Sequence, residues 1–386
     1  MNRKPFDGNT KILEILFITY LLVILLTGLW PFNFYPKNEV QWLKERDGVH
    51  FYGRGIIFSP PPANNPSSPL FPAGPVTIEL WLQPDTEPGS SLPRILSIYD
   101  ARDGEDFFIG QWKSELILRK RTLNAEGKVS YREVGVANAL PLGQRRFIAI
   151  TSDRLKTSIY IDGRFEKHFP NFTLVPIGRK NANQIILGNS PTGKEYWKGI
   201  LFGLAIYHDS LSPDIITQNY QNLISGKPLS IIKSANQPII FSFAGSSETI
   251  IKDQMNRHTL LMPNRFQIIQ KVILEPPWKD FRWKLNYFED IFINIIGFIP
   301  FGFFIFAWAS NKFKSNRNSF LLVITLGFLL SFLIEITQSY LPTRNSQLMD
   351  ILTNVLGTFL GTIIFDHFVK SHQNYGFVTN SLKCCL

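Results

Sequence analysis

The chain has 386 residues, too many for one small domain and enough for two or three. Apolar residues make up 45% and charged residues 18%, below the usual share of about 25%, which excludes a disordered, highly charged chain. The formal charge is +10, but the basic residues are scattered or flank apolar runs, so a membrane is expected as partner and nucleic acid is not.

The first apolar run is Ile12 to Trp30, broken near one end by Glu14 and preceded by Arg3, Lys4 and Lys11. About 20 such residues span a bilayer as a helix. The residues that follow, Trp30-Pro31-Phe32-Asn33-Phe34, are bulky. They offer no small-x-small cleavage site, so the run reads as an uncleaved anchor.

From Asn38 to Asn286 the pattern is that of soluble β structure. Thr77 to Gln83 alternates with period 2 and is ended by Pro84. Phe147 to Thr151 is a second strand. Ser158 to Ile161 runs into Asp162-Gly163, a strong hairpin signal. Asn183 to Gly188 and Gly199 to Tyr207 follow. Asp103-Gly104-Glu105-Asp106 reads as a turn around its glycine. Ser212, placed as an N-cap before Pro213, predicts a single helical turn. Phe241 to Asp253 and Phe266 to Leu274 are expected either to complete the sandwich or to form a small accessory sheet. Pro276-Pro277 marks a linker.

Val76 to Pro84 (VTIELWLQP), Thr157 to Arg164 (TSIYIDGR), Ile186-Leu187-Gly188, and Trp197-Lys198-Gly199 leading to Ile206-Tyr207 and Leu211-Ser212 occur in an order that resembles the laminin G-like, concanavalin A-type jelly roll. The resemblance covers about Gly48 to Leu223. It implies carbohydrate or protein binding, in some relatives with calcium. Trp112 and Trp197 are the candidates for stacking on a sugar, with burial in the core as the alternative. Asp100, Asp103 and Asp106 offer hard oxygen ligands for calcium, although no spacing marks them. A glycoside hydrolase on this fold needs carboxylates at alternate positions of one strand, and Glu79 has no such neighbour. No catalytic residue is assigned.

Three more apolar runs lie near the C-terminus, at 291–309, 320–340 and 348–369. The loop between the first two carries Lys312, Lys314 and Arg317, the tail carries Lys370 and Lys383, and the short loop before the last run carries only Arg344. The positive-inside rule therefore puts both termini in the cytoplasm and the β region outside. Helical spacing groups polar residues on single faces. Asp290, Asn294 and Gly297 form one stripe, Gly327, Ser331, Glu335 and Gln338 a second, and Asp350, Asn354, Gly357 and Gly361 a third. Ionisable groups within a bilayer are costly and face the bundle interior or water.

Asn294 with Pro300-Phe301-Gly302, Glu335-x-x-Gln338, Arg344, Asp350, Asn354, and Gly357 with Gly361 resemble the VanZ-like membrane family. Pro31-Phe32 resembles the end of that family's first helix. The resemblance implies that all four helices form one membrane domain, with the sandwich inserted after the first. It implies no defined reaction. Two readings of the stripes stand side by side. In one they are interhelical glue. In the other they form a ligand site at the outer leaflet, approached past Trp278, Lys279, Arg282, Trp283, Lys284 and Tyr287. Cys384-Cys385-Leu386 does not fit a prenylation box, but acylation beside a membrane is open to it.

The expected fold is thus a four-helix transmembrane bundle plus an all-β jelly-roll sandwich. The expected boundaries are a cytoplasmic segment at 1–11, a helix at 12–30, a jelly roll at 38–232, and an accessory β segment with linker at 233–286. A VanZ-like domain at 287–369 and a cytoplasmic tail at 370–386 complete the chain. The expected role is that of a multi-pass plasma-membrane protein of the cell envelope with a carbohydrate- or protein-binding module, acting in polysaccharide or glycopeptide-related processes. Its expected partners are envelope glycans, lipid-linked precursors and other envelope proteins. The alternatives are a transporter of a lipid-linked phosphate and a non-catalytic subunit of an envelope export complex.

Overall fold

The computed structural model describes residues 10–61, 70–71, 74–88, 91–174, 183–226, 238–243, 249–280, 285–313 and 315–384. The chain divides into two compact units, Met1–Phe34 with Lys271–Leu386, and Tyr35–Gln270.

The first element is α1 (Thr10–Leu29). The second unit then begins with β1 (Val40–Trp42), β2 (Val49–Phe51), β3 (Ile57–Phe58), β4 (Val76–Pro84) and β5 (Arg94–Asp100). It continues through β6 (Gly104–Trp112), β7 (Glu115–Leu123), β8 (Val129–Val136), β9 (Arg146–Ser152), β10 (Lys156–Ile161) and β11 (Arg164–Pro170). After β12 (Asn183–Leu187) and β13 (Gly199–Tyr207) come α2 (Pro213–Ile224), β14 (Ile239–Ser242), β15 (Ile250–Lys252) and β16 (Thr259–Leu261).

The strands form two antiparallel sheets. One runs β1-β2-β13-β4-β9-β10-β11 with β14 also on β13, and the other runs β15-β16-β3-β12-β5-β6-β7-β8. Their inner faces enclose one core, to which β4 contributes Val76, Ile78, Leu80 and Leu82 and β12 contributes Ile185 and Leu187. Burying each such side chain stabilises the fold by about 1.5–3 kcal/mol. The β10–β11 hairpin turns on Asp162 (φ 50°) and Gly163 (φ 77°), two left-handed residues in a row, as a two-residue turn between right-twisted strands requires.

Two expectations fail locally. Gly104 opens β6, so Glu105 and Asp106 lie in a strand and not in a turn. The element after Ser212 is α2, a helix of 12 residues. Its extra length has a cause. Ile216, Tyr220 and Leu223 recur at helical spacing and cover Phe147, Ala149, Tyr160, Ala205 and Tyr207 on the outer face of the sheet. All nine residues of β13 are buried, because the core covers one face and α2 covers much of the other.

Residues after α2 supply strands to both layers. β14 pairs with β13 from Gly203 to Ile206, while β15 and β16 extend the other sheet beyond β3.

In the helical unit, α1 is followed by α3 (Pro277–Asp280), α4 (Leu285–Lys312), α5 (Asn316–Gln338) and α6 (Leu348–Cys384). Where four spans are expected, three helices among the described residues are long and apolar enough to cross a membrane: Tyr287–Ser310, Asn316–Gln338 and Leu348–Val369. Glu14–Leu29 is a shorter apolar helix. α4 runs on through Pro300.

Phenylalanines hold the bundle together. Phe17 meets Phe301 at 6.0 Å between ring centroids, and Phe365 lies 5.1 Å from Phe303 and 5.9 Å from Phe306. α4 and α6 approach closely because Gly357 and Gly361 face the carbonyls of Ile295 and Ile299, and Gly302 faces the backbone of Thr358. A side chain at any of these positions would collide with backbone, so the glycines set the interhelical distance.

Candidate functional site

α1 and α5 end, and α4 and α6 begin, at one side of the bundle, where their polar stripes meet. Between them lies a cavity of about 460 Å³. Of the residues expected at a site, it gathers Asn294, Glu335, Gln338, Arg344, Asp350 and Asn354. Asp290 and Gly297, from the α4 stripe, also line it. Pro300, Gly302, Gly357 and Gly361 do not, and the three glycines are interhelical contacts instead.

Hydrogen bonds hold four of the lining side chains. Glu335 is 1% exposed, and its Oε2 accepts the backbone N–H of Gln347 at 2.7 Å. Gln338 donates from Nε2 to the carbonyl of Gly28 at 2.7 Å. Arg344 donates from Nε to Trp30 O at 3.0 Å and from Nη2 to Thr27 O at 2.9 Å. The guanidinium thereby closes the carboxyl end of α1, whose last carbonyls lack helical partners. Asn354 donates to Ser331 Oγ at 2.9 Å, while its own Oδ1 is buried with no hydrogen-bond partner among the described residues.

Glu275 pairs with the loop before α6. Its N–H donates to Ser346 O, and its carbonyl accepts from Leu348 N. Thr27, Thr343, Asn345 and Gln347 are lining residues that spacing does not reveal. They sit in loops or at helix ends, where no periodicity marks them. Of the expected approach, Trp278 is 78% exposed, whereas Arg282, Trp283 and Lys284 lie outside the described residues, as do Arg3 and Lys4.

In the sandwich unit two expectations are corrected. Trp197 is 1% exposed inside the core, and its Nε1 donates to Gln111 Oε1 at 2.8 Å. Its ring is unavailable to a sugar, because the strand pairing turns it inward. Trp112 is half-buried at the end of β6.

Asp100, Asp103 and Asp106 do not converge as calcium ligands. Among the described residues, no group of three or more His, Cys, Asp or Glu could hold a metal ion. Asp100 Oδ1 instead accepts the N–H groups of Arg102 and Asp103, tying the turn. The Arg121 guanidinium stands where a cation would be needed, 3.6 Å from Asp103 and 3.7 Å from Asp106. Burial pushes the Asp106 carboxyl up to about 6 against the pull of Arg121.

A third buried group was not expected. Glu79, 2% exposed, accepts hydrogen bonds from Asn219 Nδ2 at 2.8 Å and Tyr207 OH at 3.1 Å. Burial pushes its carboxyl up to about 7. The cluster lies between β4, β13 and α2 and fastens that helix to the sheet.

Residues 238–369 match the family described as VanZ/LLP1, and residues 62–217 match the concanavalin A-like lectin/glucanases superfamily. The chain joins a VanZ-like region to a laminin G-like one. The VanZ match begins within the strands that complete the sandwich. With its three span-length helices, the VanZ-like region fits a membrane protein.

No curated protein matches the chain. Among solved structures, a Bacteroides ovatus protein provisionally described as carbohydrate binding is 14% identical with a TM-score of 0.39, covering 58% of this chain and 59% of its own. The binding domain of botulinum neurotoxin DC is 15% identical with a TM-score of 0.35, covering 48% and 45%. The receptor binding domain of botulinum neurotoxin D is 14% identical with a TM-score of 0.35, covering 49% and 48%. The chain spans about half the length of these structures.

Proposed function

We propose that the protein is a four-span integral membrane protein of the cell envelope that binds glycan through its laminin G-like unit. In this reading both termini face the cytoplasm, α1 is the first span, and the sandwich is extracytoplasmic. The observation that carries it is the match of residues 62–217 to the concanavalin A-like superfamily in a chain whose remaining helices are VanZ-like. Trp112 is the candidate sugar platform.

The test is binding of the full-length protein in nanodiscs to a panel of purified envelope glycans, with and without a chelator. Saturable binding that persists in chelator and is lost in Trp112→Ala supports the reading. Binding abolished by chelation would restore a calcium requirement. No binding by folded protein would remove the glycan role.

The membrane unit adds a second site. Its polar cavity, lined by Arg344, Gln338, Glu335 and Asn354, supports the holding of an envelope ligand beyond mere helix–helix adhesion. Lipid-linked phosphate transport is the less favoured alternative, because the single guanidinium of the described lining, Arg344, is engaged with α1 carbonyls. Membership of an export complex is open to co-purification.

A further inference from the structure

The cavity's size and charge narrow the class of ligand. A volume of about 460 Å³ far exceeds the roughly 30 Å³ share of one water, so it suits a headgroup-sized molecule more than a bare ion. Its described lining carries three acidic side chains, Asp290, Asp350 and the buried Glu335, whose Oε2 is engaged with Gln347 N–H, against the one guanidinium of Arg344. Two helix amino ends and two carboxyl ends meet there, so the macrodipoles largely offset and formal charge decides.

The hydrogen-bonding surplus has the same sign. Asn354, 5% exposed, donates one amide N–H to Ser331, and its buried Oδ1 has no donor among the described residues. A buried acceptor without a donor is destabilising. The carboxylates are spread around the wall and do not converge on one point, and among the described residues no metal-binding group forms. Ile24, Ile293, Phe298 and Ile334 add an apolar part to the wall.

We propose that this cavity takes the protonated primary amine of an amphiphile. The proposal rests on the reading of the cavity as a ligand site and adds its chemical class. An ammonium brings three donors and a positive charge to a wall rich in acceptors and acids. A phosphate would set acceptor against acceptor and like charge against like.

The probes are dodecylamine, dodecyl phosphate and ethanolamine, each added to full-length protein in phosphatidylcholine nanodiscs, with thermal stabilisation as readout. Asp290 and Asn345 are both exposed, so Asp290→Asn and Asn345→Lys alter the charge at the mouth without disturbing packing. Dodecylamine should stabilise the protein saturably, each variant should weaken that effect about tenfold, and dodecyl phosphate should have none. Ethanolamine acting as well as dodecylamine would keep the amine and overturn the amphiphile.

Dodecylamine acting equally on wild type and both variants would reveal partition into the bilayer and overturn the assignment. Preference for dodecyl phosphate, strengthened by Asn345→Lys, would overturn the amine while leaving a ligand site. No charge-dependent response to any probe in folded protein would sink both the amine and the site.

Discussion

Glu79 shows how a single side chain can tie stability to pH. Its carboxyl is neutral in the fold up to about pH 7, against an ordinary value of 4.5, because burial disfavours the anion more than Asn219 and Tyr207 favour it. The folded state therefore holds the proton more tightly than the unfolded chain. Its contribution is complete below pH 4.5 and is lost as the pH rises through about 7, on the order of 3 kcal/mol in all. Thermal unfolding of the full chain should show the sandwich weakening across that window. Glu79→Gln should remove the Glu79 share of the slope, leaving shares of the same sign from Asp106 and Glu105, whose carboxyls burial also raises. An unchanged slope would place the titrating group elsewhere.

Trp197 makes a different residue-scale case. Trp197→Phe leaves Gln111 Oε1 without its donor in a buried setting and should cost about 1–3 kcal/mol of sandwich stability, read by chemical denaturation. A neutral outcome would mean that the site relaxes to admit water.

At the scale of elements, α4 and α6 pack through backbone-to-backbone approach, where Gly357 and Gly361 meet carbonyls of Ile295 and Ile299. Gly361→Ala inserts a methyl group where no space exists and should destabilise the bundle by about 1–3 kcal/mol, measured as a lowered melting temperature in detergent. Gly297 is the control, since nothing lies within reach of a Cβ there, and Gly297→Ala should be near neutral. Equal effects of the two would refute the close-approach argument.

The elements also differ in how legible they were. β4 and the β10–β11 hairpin could be read from alternation and Asp162-Gly163, because those signals lie within a few neighbouring residues. β7 was not readable, since Arg119, Lys120 and Arg121 interrupt its apolar pattern, and a cross-strand carboxylate at Glu133 pairs with Arg119. The full length of α2 was present in Ile216, Tyr220 and Leu223 but was overshadowed by the Ser212-Pro213 start signal.

At the scale of the molecule, the proposed topology has a direct check. Tyr131 on β8 is 61% exposed, so a cysteine placed there should react with a membrane-impermeant maleimide in intact cells. The native Cys384 and Cys385 should react only after permeabilisation. The reverse pattern would invert the orientation.

The sequence alone determined the membrane character, the β class of the middle region and the three polar stripes, because periodicity of 2 or 3.6 and runs of about 20 apolar residues are local properties of the chain. Only the tertiary structure decided what those residues meet. Asn219 reaches Glu79 across 140 positions, and Arg344 reaches the Thr27 carbonyl across 317. Strand pairing turned Trp197 inward, and the Arg121 guanidinium took the place a cation would need beside Asp103 and Asp106. Such contacts depend on register and packing between distant elements, and no local pattern carries that information.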